Sequence, residues 1–193
     1  MKRSRCLILL LSICLLSCIY SRITHLSKDD LEWFHVYEEG DTIYFNSLKN
    51  GMDTLIITNR TIFNSSFPFM ENEASSEYIA NGSYEYKMFH KGEIFEGILV
   101  HVRKEDNERP ACIRFSLCGF YSDYLNPKEN KQVIGGDVLT DCIIINCSNA
   151  HNGLNQKNIG INCIIWSKSI GIVRFDTNED SFFSQSIRRV TEL

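Results

Sequence analysis

A repeat of apolar and polar side chains with a period of two residues constrains the fold of this chain more than any other feature. The repeat recurs between short polar turns along most of the sequence, and this period places apolar side chains on one face of a β-strand. No segment has an apolar period of 3.6 residues over more than two turns, and the only longer helix that the sequence predicts covers residues 71–79. We therefore predict an all-β domain with at most one or two short helices.

One strand near the middle of the chain indicates how the strands are arranged. Phe95 and Leu99 lie on one of its faces, whereas Ile98, Val100 and Val102 lie on the other. A strand with apolar side chains on both faces is central and covered on both sides. We therefore expect antiparallel hairpins that form a sandwich or a curled, barrel-like sheet.

The first hairpin of the chain is predicted to have a three-residue loop that ends at Gly51. This loop places Phe45 opposite Leu55, and it places Ile43 opposite Ile57. All four apolar side chains then share one face, whereas a two-residue turn would mix the two faces.

A second hairpin is predicted to turn at residues 91–92. This turn sets Lys87 opposite Glu96, where the two charges attract each other. It also sets Tyr86 opposite Gly97, so that the aromatic ring covers the bare glycine.

The last hairpin of the chain contains two residues with a structural meaning. Trp166 lies in an apolar strand, and we expect its ring in the core. Gly171 interrupts the next apolar strand, where glycine normally weakens pairing. Its position there predicts a bend, a bulge or a close approach of another group to the backbone.

The chain begins with a basic segment that is followed by an apolar run over residues 6–16. This run of eleven residues is too short to cross a hydrocarbon core, which needs about 20 residues, and the layout is typical of a secretory signal. The run ends in Leu15-Leu16-Ser17-Cys18, which resembles the lipobox of bacterial lipoproteins. The resemblance implies a diacylglyceryl group on Cys18, cleavage before it, and a further acyl chain such as palmitate on the new amine. A plain signal peptide cut after Cys18 is the alternative.

The sequence therefore divides into a signal peptide over residues 1–17, a polar tether over 18–30 and a single β-rich domain over 31–193. Cleavage removes three basic and no acidic residues, which changes the net charge from −4 to −7. A chain this acidic lacks the basic patch that nucleic acid requires. The expected partners are the membrane, through the lipid anchor, and an envelope protein, and no cofactor is expected.

The cysteines beyond Cys18 leave their oxidation state open. Their number is odd, so at least one thiol stays free or pairs with another molecule. Core thiols and one or two disulfides are both compatible with the sequence, and the spacing to the histidines does not match a zinc site. The five residues are Cys112, Cys118, Cys142, Cys147 and Cys163.

Two segments of the domain resemble small, uncharacterised lipoproteins of Bacteroidetes. The first is the hairpin over residues 166–175, in which Ile-Gly-Ile-Val-x-Phe precedes an acidic turn, and the second is the strand over residues 39–45. The resemblance implies an outer-membrane lipoprotein on the periplasmic face rather than on the cell surface. It also implies O-glycosylation of Thr42 and Thr54, which both lie in Asp-Thr-aliphatic triplets. The family has no known catalytic residues to transfer.

Three hypotheses for the function follow from the residues. The lack of motifs for hydrolases, metalloproteases and nucleotide binding favours a non-enzymatic binding or accessory module of the cell envelope. A cysteine-dependent enzyme is one alternative, because pairing of Val102 with Ala111 would set His101 opposite Cys112. The other alternative is a carrier of a lipid or another apolar ligand, although the side chains that would line its site can equally be core: Tyr84, Tyr86, Met88, Phe95 and Leu99.

Overall fold

The computed structural model describes residues 24–49, 51–63, 79–125, 127–134, 137–146, 151–152 and 159–185. Helical structure in these residues is limited to α1 (Lys28–Leu31) and a 3-10 turn (Glu32–Phe34). The strands are β1 (Thr42–Ser47), β2 (Met52–Phe63), β3 (Ala80–His90), β4 (Glu93–Lys104), β5 (Cys112–Leu117), β6 (Phe120–Leu125), β7 (Asn130–Ile134), β8 (Asp137–Asn146), β9 (His151–Asn152), β10 (Ile161–Ser167), β11 (Gly171–Thr177) and β12 (Ser181–Ser184). The predicted all-β class is confirmed. The helix predicted over residues 71–79 lies outside the described residues, except for residue 79.

All twelve strands belong to one antiparallel sheet, with the order β7-β8-β10-β11-β12-β1-β2-β3-β4-β5-β6-β9. The sheet curls into a half-barrel, which is the curled form of the two predicted arrangements. The curl brings strands that are far apart in the sheet order into contact. The rings of Phe115 on β5 and Trp166 on β10 have centroids only 5.7 Å apart.

The concave face of the half-barrel is filled by the segment over residues 24–37, which we call the plug. Its apolar side chains are buried in the main core: Leu26, Trp33, Phe34, Val36 and Tyr37. Two glycines make room for it. A Cβ atom on Gly82 would lie 2.6 Å from the ring of Phe34, and one on Gly171 would lie 2.0 Å from the hydroxyl of Tyr37.

The plug includes residues 24–30, whose polar composition predicted a tether. Thr24 and Leu26 are buried in the structure. The polar side chains next to them are bonded within the fold, since Ser27 and Asp30 form a capping box at the start of α1. The Asp30 carboxylate also accepts a bond from Lys104 Nζ at 2.9 Å. The polar residues therefore begin a helix and hold it to β4.

The alternation in β4 is broken by a β-bulge at Leu99. Tyr84 on β3 lies opposite Val100 and the next residue, Glu85, lies opposite Ile98, so Leu99 is the extra residue. Leu99 and Val100 are consecutive, and both are buried on the concave side, whereas Ile98 is exposed. The expectation of a strand covered on both faces is therefore wrong. A bulge adds one residue to the strand and exchanges its two faces.

The hairpin between β3 and β4 has the predicted register, with Lys87 opposite Glu96 and Tyr86 opposite Gly97. The Lys87 and Glu96 side chains form an ion pair at 2.9 Å. The Tyr86 ring lies 3.6 Å from the position of a Cβ atom on Gly97, so it covers the glycine as expected.

The first hairpin closes between Ser47 and Gly51, where the backbone N–H of Ser47 donates to the carbonyl of Gly51 at 2.8 Å. The prediction of a loop that ends at Gly51 is therefore wrong, and the register differs by two residues. Phe45 lies opposite Asp53, and Ile43 lies opposite Leu55. A shift of two keeps every side chain on its predicted face. Its consequence is that Asp53 points into the core, where His90 binds its carboxylate at 2.6 Å.

The last hairpin confirms both expectations for its residues. Trp166 is buried in the main core, and its ring packs edge-on against Tyr37. Gly171 has a φ of +90°, and the register of β10 and β11 shifts between Ile165 and Trp166. Both the bulge and the close approach are therefore present at this hairpin.

Candidate binding surface

A row of exposed apolar side chains crosses the convex face of the half-barrel. Tyr44 on β1 lies opposite Thr54 on β2, and Thr54 lies opposite Phe89 on β3. Phe89 in turn lies opposite Ile94 on β4. Directly opposite residues point to the same side of a sheet. We call Tyr44, Phe89 and Ile94 the apolar row, and their exposed fractions lie between 38% and 53%.

The apolar row lies near one end of the sheet, which we call the turn end. The chain reverses there at residues 48–49, 91–92, 118–119 and 178–180. Leu48 and Met52 flank the first of these turns and are also exposed, so they extend the apolar surface. We call the other end of the sheet the entry end, because Thr24 of the plug donates a bond there to the carbonyl of Glu105 at 3.2 Å.

Charged side chains border the apolar row. Lys87 forms its ion pair with Glu96 beside the row, and the Lys87 ammonium lies 5.9 Å from the ring centre of Phe89. At the adjacent turn, Lys91 pairs with Glu179 at 2.9 Å. An apolar centre with a charged border is typical of surfaces that bind other proteins.

Asp53 and His90 form a buried pair beneath the turn end. The bond between His90 Nδ1 and the Asp53 carboxylate, at 2.6 Å, joins the first residues of β2 to the last residue of β3. The imidazole packs between the rings of Phe95 and Phe182. The pair fixes the strand ends that carry Thr54 and Phe89, and therefore supports the middle of the apolar row.

The alternation of β1 places Tyr44 on the opposite face from Phe45, but the apolar row was not among the features predicted from the sequence. The available signal was the phase of the alternation. Phe89 and Ile94 are out of phase with the inward residues Met88 and Phe95. Apolar side chains on the outward phase of two neighbouring strands indicate an exposed apolar surface.

The five side chains of the carrier hypothesis lie together on the concave face, and all are buried. The plug packs directly on Tyr84, with the rings of Phe34 and Tyr37 5.4 and 5.6 Å from its ring. Tyr84 also exchanges two bonds of 3.2 Å with the backbone of Tyr37, and burial raises the pKa of its phenol. The part of the concave surface around Tyr84 is thus occupied by the chain itself.

The pair that suggested a cysteine-dependent enzyme is not formed, because the register differs from the expected one by two residues. His101 lies opposite Arg114, and Cys112 lies opposite Arg103. Burial lowers the pKa of His101, and the two arginines lower it further. Burial also raises the pKa of the Cys112 thiol, so both groups are held in their neutral forms.

The structure describes Cys112, Cys118, Cys142 and Cys163 and joins no two of them in a disulfide. Cys147 lies outside the described residues. The Cys118 thiol packs against the Met88 sulfur at 3.4 Å. Burial raises the pKa of this thiol to about 12. Among the described residues, no group of three or more His, Cys, Asp or Glu side chains is arranged to hold a metal ion.

The two threonines that the family resemblance marked for glycosylation are half-buried on the convex face. The Thr42 hydroxyl lies 3.5 Å from the carbonyl of Gly40. Thr54 lies within the apolar row, and the preceding Asp53 is buried with His90. Cys18 lies outside the described residues.

Comparison with known proteins identifies no relative of this chain. No protein-family model matches the chain, and no curated protein or solved structure is significantly similar to it. Within the described part of the chain, neither helical segment is long and apolar enough to span a membrane. The function is therefore inferred from the residues and their geometry.

Proposed function

We propose that the protein is a lipoprotein of the outer membrane, anchored through acylated Cys18, with its domain on the periplasmic face. We further propose that the β domain is a non-enzymatic binding or accessory module. The lipobox supports the anchor. The apolar row carries the second part, because large side chains that stay exposed together on a folded domain mark a surface for a partner.

The distance along the chain from Cys18 to the domain supports an orientation for this module. Residues 19–23 separate Cys18 from Thr24, which is buried at the entry end, and an extended chain of this length spans about 20 Å. The entry end is therefore held close to the bilayer. The eleven residues of β3 place the turn end about 30 Å farther away, so the apolar row faces a partner and not the membrane.

The chemistry of the row favours a protein partner. Tyr44 and Phe89 offer rigid aromatic surface, and Ile94 offers a branched aliphatic one. Lys87 and Glu96 beside them can orient a partner through charge without contributing much affinity. An envelope protein with a complementary apolar surface fits these features.

The anchor is tested by the substitution Cys18→Ala. We expect the variant to accumulate unprocessed or to become soluble, and to leave the detergent phase in which the wild-type protein partitions. Two or more acyl chains hold a protein on a membrane stably, so their loss has a large effect. Continued partitioning of the alanine variant would contradict the anchor.

The partner surface is tested with a photo-crosslinking side chain at position 94 in intact cells. Val138 provides the matched control, because Ile94 and Val138 are each 53% exposed. We expect one protein adduct from position 94, lost in the Phe89→Glu background, and no such adduct from position 138. Equal crosslinking from both positions, or none from position 94, would exclude the row as the partner surface.

A further inference from the structure

A second cross-strand row lies at the entry end, on the rim that the plug enters. Phe63, Asn81 and Arg103 lie opposite one another on β2, β3 and β4. The row continues through Cys112 on β5 to Leu125 on β6. Phe63 and Leu125, at its two ends, are exposed. The row therefore has apolar ends and a cation between them.

A surface cavity of about 290 Å³ adjoins this row. It is lined by Arg103, Glu105, Arg109, Pro110, Cys112 and Leu125. The cavity thus offers two guanidinium groups, one carboxylate and an apolar wall. A ligand that matches these groups carries an anion, a cation and an apolar portion.

The two arginines are only weakly engaged by protein groups. Arg103 lies 3.6 Å from Glu105, and Arg109 lies 3.2 Å from Asp106, with both arginine side chains more than half exposed. Exposed pairs of this kind contribute little to stability. A phosphate can therefore take over these donors through stronger, charge-assisted bonds. Arg114 differs, because Asp123 holds it through two bonds of 2.6 and 2.8 Å.

The cavity lies next to Thr24 and His25, which are the first described residues after Cys18. Thr24 bonds to the carbonyl of Glu105, and the backbone N–H of His25 donates to Asn107 at 3.0 Å. Five residues, 19–23, separate Thr24 from Cys18, so an acylated Cys18 keeps Thr24, beside the cavity, within about 20 Å of the bilayer surface. The surface nearest to the cavity is then the membrane itself.

We infer that this entry-end cavity binds the headgroup of a zwitterionic phospholipid in the membrane that holds the protein. Arg103 and Arg109 bind the phosphate, and Glu105 faces the ammonium group. Leu125 and Phe63 contact the apolar region just below the headgroups. This headgroup site rests on the proposed function, because the anchor at Cys18 is what holds the cavity near the membrane.

The charge of the protein supports a zwitterionic rather than an anionic lipid. The mature chain carries a net charge of −7, so an anionic surface repels it as a whole. A zwitterionic headgroup offers no net charge to repel, and its two poles match the arginines and the carboxylate separately. The cavity therefore selects for paired charges and not for a negative surface.

The experiment uses the acylated protein on vesicles of phosphatidylethanolamine and phosphatidylcholine that contain phosphatidylcholine with a nitroxide on its headgroup. Leu125→Trp reports on the entry end, and Leu48→Trp, at an exposed leucine of the turn end, is the control. The native Trp33 and Trp166 are buried and contribute a constant background. We expect the headgroup nitroxide to quench most of the added emission at position 125 and almost none at position 48.

Charge variants test the cavity itself. Arg103→Gln with Arg109→Gln should restore the emission at position 125, whereas Lys49→Gln with Lys91→Gln, the same charge change at the turn end, should not. Replacing half of the phosphatidylcholine with phosphatidylglycerol should leave the quenching no stronger.

The outcomes separate this inference from the proposed function. If the protein does not float with the vesicles, the anchor fails and the inference fails with it. If the protein floats but positions 125 and 48 are quenched alike, or neither is quenched, the headgroup site is excluded while the anchor stands. Unchanged quenching in the double arginine variant, or stronger quenching on anionic vesicles, would also overturn the site.

Discussion

Single residues decide whether the plug fits into the half-barrel. Gly171 and Gly82 provide the space for Tyr37 and Phe34. The Tyr37 hydroxyl also accepts a bond from the backbone N–H of Ile172 at 2.8 Å, so it satisfies a buried donor next to the glycine. One missing Cβ atom therefore permits both a packing contact and a hydrogen bond.

Gly171→Ala is expected to destabilise the protein more than Gly92→Ala does. Both glycines have a positive φ, which costs a residue with a Cβ atom about 1–2 kcal/mol. At Gly92 the added Cβ atom meets open space, whereas at Gly171 it meets Tyr37, and such overpacking costs about 1–3 kcal/mol more. Urea unfolding of the two variants measures the difference. Equal losses would show that Tyr37 moves aside freely.

Asp30 is expected to make stability depend on acid pH. Burial raises the pKa of its carboxyl, but the bonds from Lys104 and Ser27 outweigh burial and leave the pKa below its ordinary value. A depressed pKa contributes stability above the unfolded pKa of about 3.9. This contribution is lost as the pH falls through the lower folded pKa.

The variant Asp30→Asn should therefore lose about 1–3 kcal/mol at neutral pH, the usual effect of weakening a bond to a charged group. The difference from the wild-type protein should shrink below pH ~4 as the wild-type carboxylate takes up its proton. Asp29→Asn, in the exposed neighbour on the same helix, is the control and should change little. Unfolding curves at pH 7 and at acid pH supply the measurement, and a loss that stays constant with pH would contradict the role of the charge.

At the scale of elements, the plug acts as part of the core although it contains only α1, a 3-10 turn and the residues beside them. It touches both halves of the sheet, since Tyr37 contacts Tyr84 on β3 and Trp166 on β10. The Lys168 ammonium also lies 5.2 Å from the ring centre of Trp33. Without the plug, the concave face of an open half-barrel would expose its aromatic side chains to water.

A chain that starts at Glu38 is therefore expected not to fold, whereas one that starts at Thr24 should fold like the mature protein. The first deletion removes the plug, and the second removes only residues that precede it. Near-ultraviolet circular dichroism and the cooperativity of urea unfolding distinguish the two cases. Cooperative unfolding of the shorter chain would show that the sheet is stable with its concave face empty.

At the scale of the whole molecule, a buried thiol and three buried phenols make the fold less stable at alkaline pH. Burial raises the pKa of the Cys118 thiol to about 12, and burial also raises the pKa of the phenols of Tyr37, Tyr84 and Tyr86. These groups keep their protons in the folded state at pH values at which they lose them in the unfolded chain. Folding then binds protons, and stability falls as the pH rises.

The free energy of unfolding should therefore decrease above pH ~8.5, the ordinary pKa of a thiol, by up to about 1.4 kcal/mol per pH unit for Cys118. The tyrosines should steepen the decrease above pH ~10. Cys118→Ala should flatten the curve between these two values, whatever stability it loses at neutral pH. Urea midpoints across this range in the presence of a reductant test the expectation, and an unchanged slope in the variant would refute it.

The sequence by itself determined the features that depend on neighbours along the chain. Alternation and turn residues specified the all-β class and the hairpin of β3 and β4, in which Lys87 meets Glu96. The same local patterns identified Trp166 as core and Gly171 as the site of a bend, a bulge or a close approach. These predictions hold because strand periodicity and turn geometry are properties of a few consecutive residues.

Tertiary structure alone decided where that local pattern breaks. The bulge in β4 sends Val100 inward, and the buried bond to His90 draws Asp53 into the core. Residues 24–30 of the plug have the composition of a polar tether, and they join the fold through contacts such as the bond of Thr24 to the carbonyl of Glu105, a residue 81 positions away along the chain. The apolar row likewise exists only once four strands are in register. Each of these features depends on contacts between residues far apart in sequence, and no local period encodes such contacts.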